Sequence, residues 1–392
     1  MRLSFVLSVL LTTVFIRASA DSPQYSVTDL GTLGGTDSYA SAINNNGQIV
    51  GDSYTTNGLD HAFLYSEGRM IDLGTLGGTW SFCGAINNQG QVVGASLTSN
   101  AVTHAFLYDG ATMTDLDTLN TPYSEAYSIN DNGQAVGVVH TNQTGFDLAF
   151  LFSGGTMTSL GTLGGPSSQG YAINNNGQIV GSATTLSNGT YVFLYSGGVM
   201  SNVGRLGLAA FAYGVNNHGQ IVGFCFLPTG ANDAFFYDGE KMIDLAPPGC
   251  TLSQARGIND NGDVVGFAGT GFLYSGGTLR NLNDLAAGCG WDLRIPTAVN
   301  NKGQIVGVGF NPAGQRHGFL LTPLPSLHIE FNAALLISWP TNASGCALYQ
   351  SPNAASTNWL PMTNTPTVTN GQYQIGISDL SAGQQFYRLI CH

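Results

Sequence analysis

The stretch Ala42–Gly51 reads AINNNGQIVG, and it decides the fold because the chain writes it seven times. It returns almost letter for letter at 172–181. Looser copies stand at 85–94 (AINNQGQVVG), 128–137 (SINDNGQAVG), 214–223 (GVNNHGQIVG), 257–266 (GINDNGDVVG) and 298–307 (AVNNKGQIVG). A short apolar run, a polar turn ending in Gly and a second apolar run form the pattern of a tight β-hairpin. The turn glycines are Gly47, Gly90, Gly133, Gly177, Gly219, Gly262 and Gly303, separated by 43, 43, 44, 42, 43 and 41 residues. Asn46-Gly47 predicts a two-residue type I′ turn, with positive φ at both positions.

A period in the low forties marks a repeat architecture. The first unit reads as four strands, Tyr39–Asn44, Gln48–Tyr54, His61–Ser66 and Arg69–Leu73, separated by turn residues. No unit carries a ten-residue helical pattern. Four antiparallel strands per unit make one blade of a β-propeller. The chain enters with Tyr25–Leu30 (YSVTDL), which matches the fourth strand of other units (MIDL, MTDL, MTSL). The last unit stops after its third strand, Arg316–Leu321, and runs into Pro323 and Pro325. The first strand therefore completes the last blade and leaves no open sheet edge. The prediction is an all-β chain: a seven-bladed β-propeller over 21–324, closed by its N-terminal strand, then a small β-sandwich-like module over 325–392.

The recurring residues suit packing. Phe63, Phe106, Phe150, Phe193, Phe235, Phe272 and Phe319 share one third-strand position. Two residues on stand Tyr65, Tyr108, Phe152, Tyr195, Tyr237, Tyr274 and Leu321, on the same face, where they fill the gaps between blades. Glycines of the second strand (Gly51, Gly94, Gly137, Gly181, Gly223, Gly266, Gly307) imply close backbone approach or a bulge.

Bulk properties limit the function. The first twenty residues have Arg2, an apolar run Leu3–Ile16 and Ala18-Ser19-Ala20, the layout of a cleaved secretory signal. The chain is expected to be secreted, periplasmic or held at the cell surface, with no membrane span after cleavage. Formal charge is −12, and loss of Arg2 and Arg17 takes it to −14. With so few Lys and Arg, nucleic acid is an unsuitable partner. Among six cysteines, Cys346 and Cys391 are the first candidates for a disulfide, Cys250 with Cys225 or Cys289 a weaker pairing, and Cys83 a free core thiol. No C-x-x-C spacing offers a zinc ribbon or redox motif.

His61-Ala62-Phe63 and His104-Ala105-Phe106 each lie downstream of the INN-x-G-Q-[IV]-V-G turn, with DLGTLGG following the first. Over residues 25–324 this resembles the HAF-type extracellular repeats of bacterial secreted proteins, a resemblance that implies a repeat fold and brings no catalytic residues with it. Leu148, Tyr191, Asp233 and Thr270 replace the His in the middle units. The runs LLISW (335–339) and FYRLI (386–390), with Ala347–Gln350, Trp359 and Tyr373–Ile377 read as further short strands, resemble small fibronectin type III-like modules.

Chemistry is sparse. His61, His104 and His317 cannot share a metal, because equivalent positions on packed sheets stand about 10 Å apart and zinc needs each ligand at about 2.1 Å. Asp260 and Asp263 are a weak candidate for one calcium site; the other turns have too few carboxylates. No cofactor motif and no G-x-S-x-G elbow appear. The loops between the second and third strands, and between blades, vary freely, and variable loops on a repeated frame usually meet ligands. Tyr39, Trp80, Phe82, Tyr123, Phe211, Arg256, Trp291 and Arg294 lie near that rim. The reading these features favour is a non-enzymatic binding or surface-scaffold protein that takes an extracellular glycan, peptide or protein on the variable-loop face. The alternatives are an extracellular carbohydrate-active or other hydrolytic enzyme, with Glu125 and Asp292 as its suggested carboxylates, and a purely structural spacer.

Overall fold

The structure is a computed structural model that describes residues 6–10, 13–17, 24–141, 145–325, 328–331, 335–340, 346–352, 358–369, 372–377 and 386–391. Two compact units emerge, one of residues 27–322 and one of 323–392 with 1–26. In the first, every blade is a four-stranded sheet, and in all but the seventh the strands form an antiparallel meander in chain order. The first blade is Gly34–Ile43, Ile49–Thr55, Asp60–Ser66 and Arg69–Asp72. The seventh is Asp292–Val299, Ile305–Phe310, Arg316–Pro323 and, from the start of the chain, Tyr25–Asp29. Closure by the N-terminal strand is thus as expected, with the Leu30 amide donating to the Gly318 carbonyl at 3.1 Å. Two eight-stranded sheets are pairs of blades, joined through single parallel bridges at Thr103–Tyr123 and Thr190–Ala209.

The third-strand phenylalanines are 0–1 % exposed in all seven blades. Every inner strand also carries a bulge at one equivalent place. The extra residue is Ser41, Gly84, Tyr127, Tyr171, Tyr213, Arg256 or Thr297. Opposite the bulge lies the second-strand glycine. A Cβ on Gly51 would stand 1.8 Å from the Tyr39 carbonyl oxygen, so no other residue fits there. Buried serines stitch blade to blade. Ser81, Ser124, Ser168 and Ser253 accept the backbone N–H of Ala62, Ala105, Ala149 and Ala234 at 2.8–3.0 Å.

The repeated turn differs from the type I′ expectation. Among its residues 44–48, only Gly47 has positive φ, at +86°. The Gly47 amide donates to the Asn44 carbonyl (3.1 Å) and the Asn44 amide to the Gln48 carbonyl (3.0 Å), which makes a three-residue loop with glycine in the left-handed position. The cause is Asn44. Its Oδ1 accepts both the Asn46 and Gln48 amides at 3.0 Å, and this side-chain clamp holds a wider turn. Asn44 Nδ2 donates to the Asn87 carbonyl of the next blade. The same bond repeats through Asn87, Asn130, Asn174, Asn216, Asn259 and Asn300 back to Asn44, at 2.9–3.1 Å. A second closed circuit runs from the Asn45 amide to Asn88 Oδ1 and onward through Asp131, Asn175, Asn217, Asp260 and Asn301, at 2.8–2.9 Å.

In the second unit, one sheet holds His328–Phe331, Leu335–Pro340, Gln372–Ile377 and Thr367–Thr369, and another holds Leu360–Pro361, Cys346–Ser351 and Phe386–Cys391. Ile337, Trp339, Leu348, Ile375 and Leu389 form their shared core. Trp359, expected in a strand, precedes one instead. The backbone sets Cys346 opposite Cys391 in antiparallel register. The alternative pairings of Cys250 fail, because Cys225, Cys250 and Cys289 are free thiols; Cys83 is free and buried. Val6–Leu10 and Thr13–Arg17 form a hairpin; the expected cleavage site at 18–20 lies outside the described residues. Among the described residues no helix is long and apolar enough to cross a membrane.

Candidate active site

The variable-loop face carries a cleft of about 350 Å³ between the third, fourth and fifth blades. His140 ends the second strand of the third blade and Asp147 begins the third strand. They are register partners, so the strand pairing sets the two side chains side by side. His140 Nδ1 lies 3.0 Å from Asp147 Oδ1. Gln169 Nε2 donates to Asp147 Oδ2 at 3.3 Å, and the Tyr171 hydroxyl donates to Gln169 Oε1. Burial, with the nearby Tyr213 second, pushes the Tyr171 phenol up to about 12, so it stays protonated and remains a donor. A carboxylate on Nδ1 holds the proton there and leaves Nε2 as the basic nitrogen. Ser167, Ser182 and Thr184 add hydroxyls to the cleft, and Phe146 and Phe211 give it apolar walls. Thr184 Oγ1 accepts the Ser167 amide (2.9 Å) and donates to the Ser167 carbonyl (3.0 Å), which fixes that serine's backbone. The cleft therefore combines an imidazole oriented by a carboxylate with hydroxyl side chains, the groups that general-base and nucleophilic chemistry use.

One of the sequence-predicted residues lines this cleft and a second stands next to one of its residues. Phe211 lines the cleft and stacks on Phe224 at 5.2 Å between centroids. Tyr123 pairs with His140 across the strands, and its phenol is pushed up by burial and then by Glu125. The others lie elsewhere. Tyr39 sits under the Arg316 guanidinium at 4.5 Å, and Trp80 stacks on Phe82 at 6.1 Å. Trp291 packs edge-to-face on buried Phe319, and Arg294 pairs with Asp292 at 2.8 Å while covering Phe310. Arg256 is the bulged residue of the sixth inner strand. Glu125 accepts from the Tyr127 hydroxyl at 2.7 Å in the third blade, and Asp292 belongs to the seventh, so the two suggested carboxylates stand on non-adjacent blades. Asp260 and Asp263 serve the turn circuits. Asp260 Oδ2 accepts the amides of Asn217 and Asn301, and Asp263 Oδ2 that of Asn259. No group of three or more metal-binding side chains occurs among the described residues.

The histidines His61, His104 and His317 each have a carboxylate partner. His61 pairs with Asp72 and His104 with Asp115, third strand to fourth within a blade. His317 pairs with Asp29 across the closure, at 2.8 Å. His140 and Asp147 escaped the sequence reading because they lie outside the repeated HAF position. The available signal was their symmetric placement about the middle of one hairpin loop. A further acid pair went unnoticed in the first blade. Asp52 faces Tyr39 across the strands, and burial, with Asp60 adding repulsion, pushes its carboxyl up to about 7.

No family profile matches the chain, and no curated protein does. Solved structures do. A Mycobacterium tuberculosis puromycin-hydrolyzing peptidase matches with a TM-score of 0.53 and 11 % identity, over 83 % of this chain and 61 % of that one. The Pyrococcus horikoshii acylaminoacyl peptidase matches at 0.47 and 12 %, over 77 % and 57 %. The β-propeller domain of the trilobed protease from Pyrococcus furiosus matches at 0.47 and 13 %, over 72 % and 95 %. The chain thus spans about three fifths of the two peptidases. The puromycin-hydrolyzing peptidase among them corrects the expectation of a non-enzymatic binding scaffold, since a solved structure that this chain resembles belongs to a hydrolytic enzyme. At these identities the likeness itself is one of fold.

Proposed function

We propose that the chain is an exported hydrolase of acyl bonds, peptide or ester, working in the His140–Asp147 cleft. The observation that carries this reading is the 3.0 Å contact between His140 Nδ1 and Asp147, inside a cleft that also holds the backbone-clamped Ser167. His140 Nε2 takes the Ser167 hydroxyl proton as Oγ attacks the acyl carbon. The imidazolium returns that proton to the leaving amine or alcohol, and water repeats the cycle to release the acid. Asp147 fixes the tautomer and faces the imidazolium when it forms. The peptidase names among the solved structures support hydrolysis; a glycosidase is disfavoured because its two carboxylates would sit on non-adjacent blades. Export, membership of the HAF-type repeats, the fibronectin type III-like character of the second unit and a Cys346–Cys391 disulfide belong to the same proposal.

The test is turnover of p-nitrophenyl esters and fluorogenic aminoacyl amides by the full chain. His140→Ala should lower kcat by about 10²–10⁴ with an unchanged melting temperature, and Asp147→Asn should lower it less. Equal turnover by wild type and His140→Ala would sink the reading, as would a wild type inert on the whole panel.

A further inference from the structure

The sixth inner strand carries an unusual cation. Arg256 occupies the bulge position that its neighbours in the ring fill with Tyr213 and Thr297. Its Nη2 donates to Gln254 Oε1 at 3.2 Å, and its guanidinium carbon lies 5.6 Å from the Phe267 ring centroid. Its Nε is buried with no hydrogen-bond partner. Among the described residues, no carboxylate oxygen lies within 4.0 Å of it. The chain has 23 Asp and Glu against 11 Lys and Arg, so acidic partners are plentiful. Arg294, on the adjacent blade, has one in Asp292. Arg256 as a whole is half-buried, and a guanidinium cannot shed its proton in a protein, so sinking its Nε without a partner is costly unless something supplies the negative charge.

We infer that Arg256, with Gln254 and Tyr213 beside it, is a binding site for a small oxyanion, a carboxylate or a phosphate, on the inner ring of the propeller. Burial pushes the Arg256 pKa down, with Tyr213 opposing, and no Asp or Glu among the described residues pairs with it within 4.0 Å. The planar fork suits two parallel hydrogen bonds to an oxyanion, which a lysine could not reproduce. The site shares no lining residue with the His140 cleft; its Tyr213 packs on Tyr171 at 5.2 Å between centroids, so variants at Arg256 and at His140, rather than at Tyr213, test the two readings separately.

The experiment is a thermal-shift and calorimetric titration of the full chain with sodium succinate, and separately with inorganic phosphate, each against sodium chloride at equal ionic strength. The wild type should rise in melting temperature with one oxyanion and not with chloride, and the arm that responds identifies the source. Arg256→Lys should bind at least about ten-fold more weakly, and Arg256→Gln should show no oxyanion-specific shift. Without ligand, Arg256→Gln should melt at or above the wild type, because the unpaired charge is gone. The proposal is overturned if neither anion shifts the wild type beyond chloride, or if Arg256→Gln responds as the wild type does.

Discussion

At the scale of single residues, several ionisable groups of this propeller sit in fixed, local partnerships, and Asp52 is one that does not. Its carboxyl is pushed from the usual 3.8 up to about 7, by burial first and Asp60 second, with Arg316 opposing. The sign follows from linkage. Below about pH 4 the group is protonated folded and unfolded alike. As pH rises through the unfolded value towards 7, the unfolded chain sheds the proton that the folded chain retains, and stability is lost progressively. Asp52→Asn should therefore melt several degrees above the wild type at pH 8 and converge with it near pH 4. The difference is at most about 4 kcal/mol. A melting-temperature difference independent of pH would show that Asp52 is not buried as described. A related conflict is visible in the fifth blade. There the HAF histidine is replaced by Asp233, whose pKa is raised by burial and by the facing Asp244 where other blades have an ion pair.

At the scale of the element, the hairpin written seven times is a joint between blades as well as a turn. Asn174 is 4 % exposed. Its Oδ1 accepts two backbone amides and its Nδ2 reaches the next blade. Asn174→Ala strands two amide donors and one carbonyl, so it should cost about 2–4 kcal/mol in a denaturant titration. A loss below about 0.5 kcal/mol would mean the circuit contributes little. How much of this was legible is instructive. The period, the four strands and the glycine positions follow from spacing alone, because side-chain alternation and glycine's freedom are local properties. The turn type differs from the expectation because Asn-Gly weighs the two central residues and ignores the residue two places before them. The Asn44 side chain, by accepting two amides, selects a three-residue loop. The blade-to-blade serines and the His140–Asp147 pair need cross-strand register, which a single sequence fixes only once the loop between the strands is counted correctly.

At the scale of the whole molecule, closure depends on a strand from the far end of the chain. Asp29 accepts from Asn311 Nδ2 at 3.0 Å and from His317 Nδ1 at 2.8 Å. Burial raises its pKa, but the bonds from Asn311, Gly31 and His317 outweigh that, and the net value lies below the usual 3.8. The stabilisation is therefore fully present above about pH 4 and is lost as pH falls through the lowered value. Asp29→Asn should cost about 1 kcal/mol at neutral pH, and the gap from wild type should narrow below pH 4. A gap that widens on acidification would contradict the pairing. The turn face holds the ring together by uniform bonds. The opposite face, where the copies differ, holds the cleft with its histidine, carboxylate and serine.

That division is tested most directly by covalent labelling. A fluorophosphonate probe incubated with the full chain, followed by peptide mass spectrometry, should give one adduct on Ser167, abolished in His140→Ala. No adduct, or one that forms equally without the imidazole, would contradict a hydrolytic centre in this cleft.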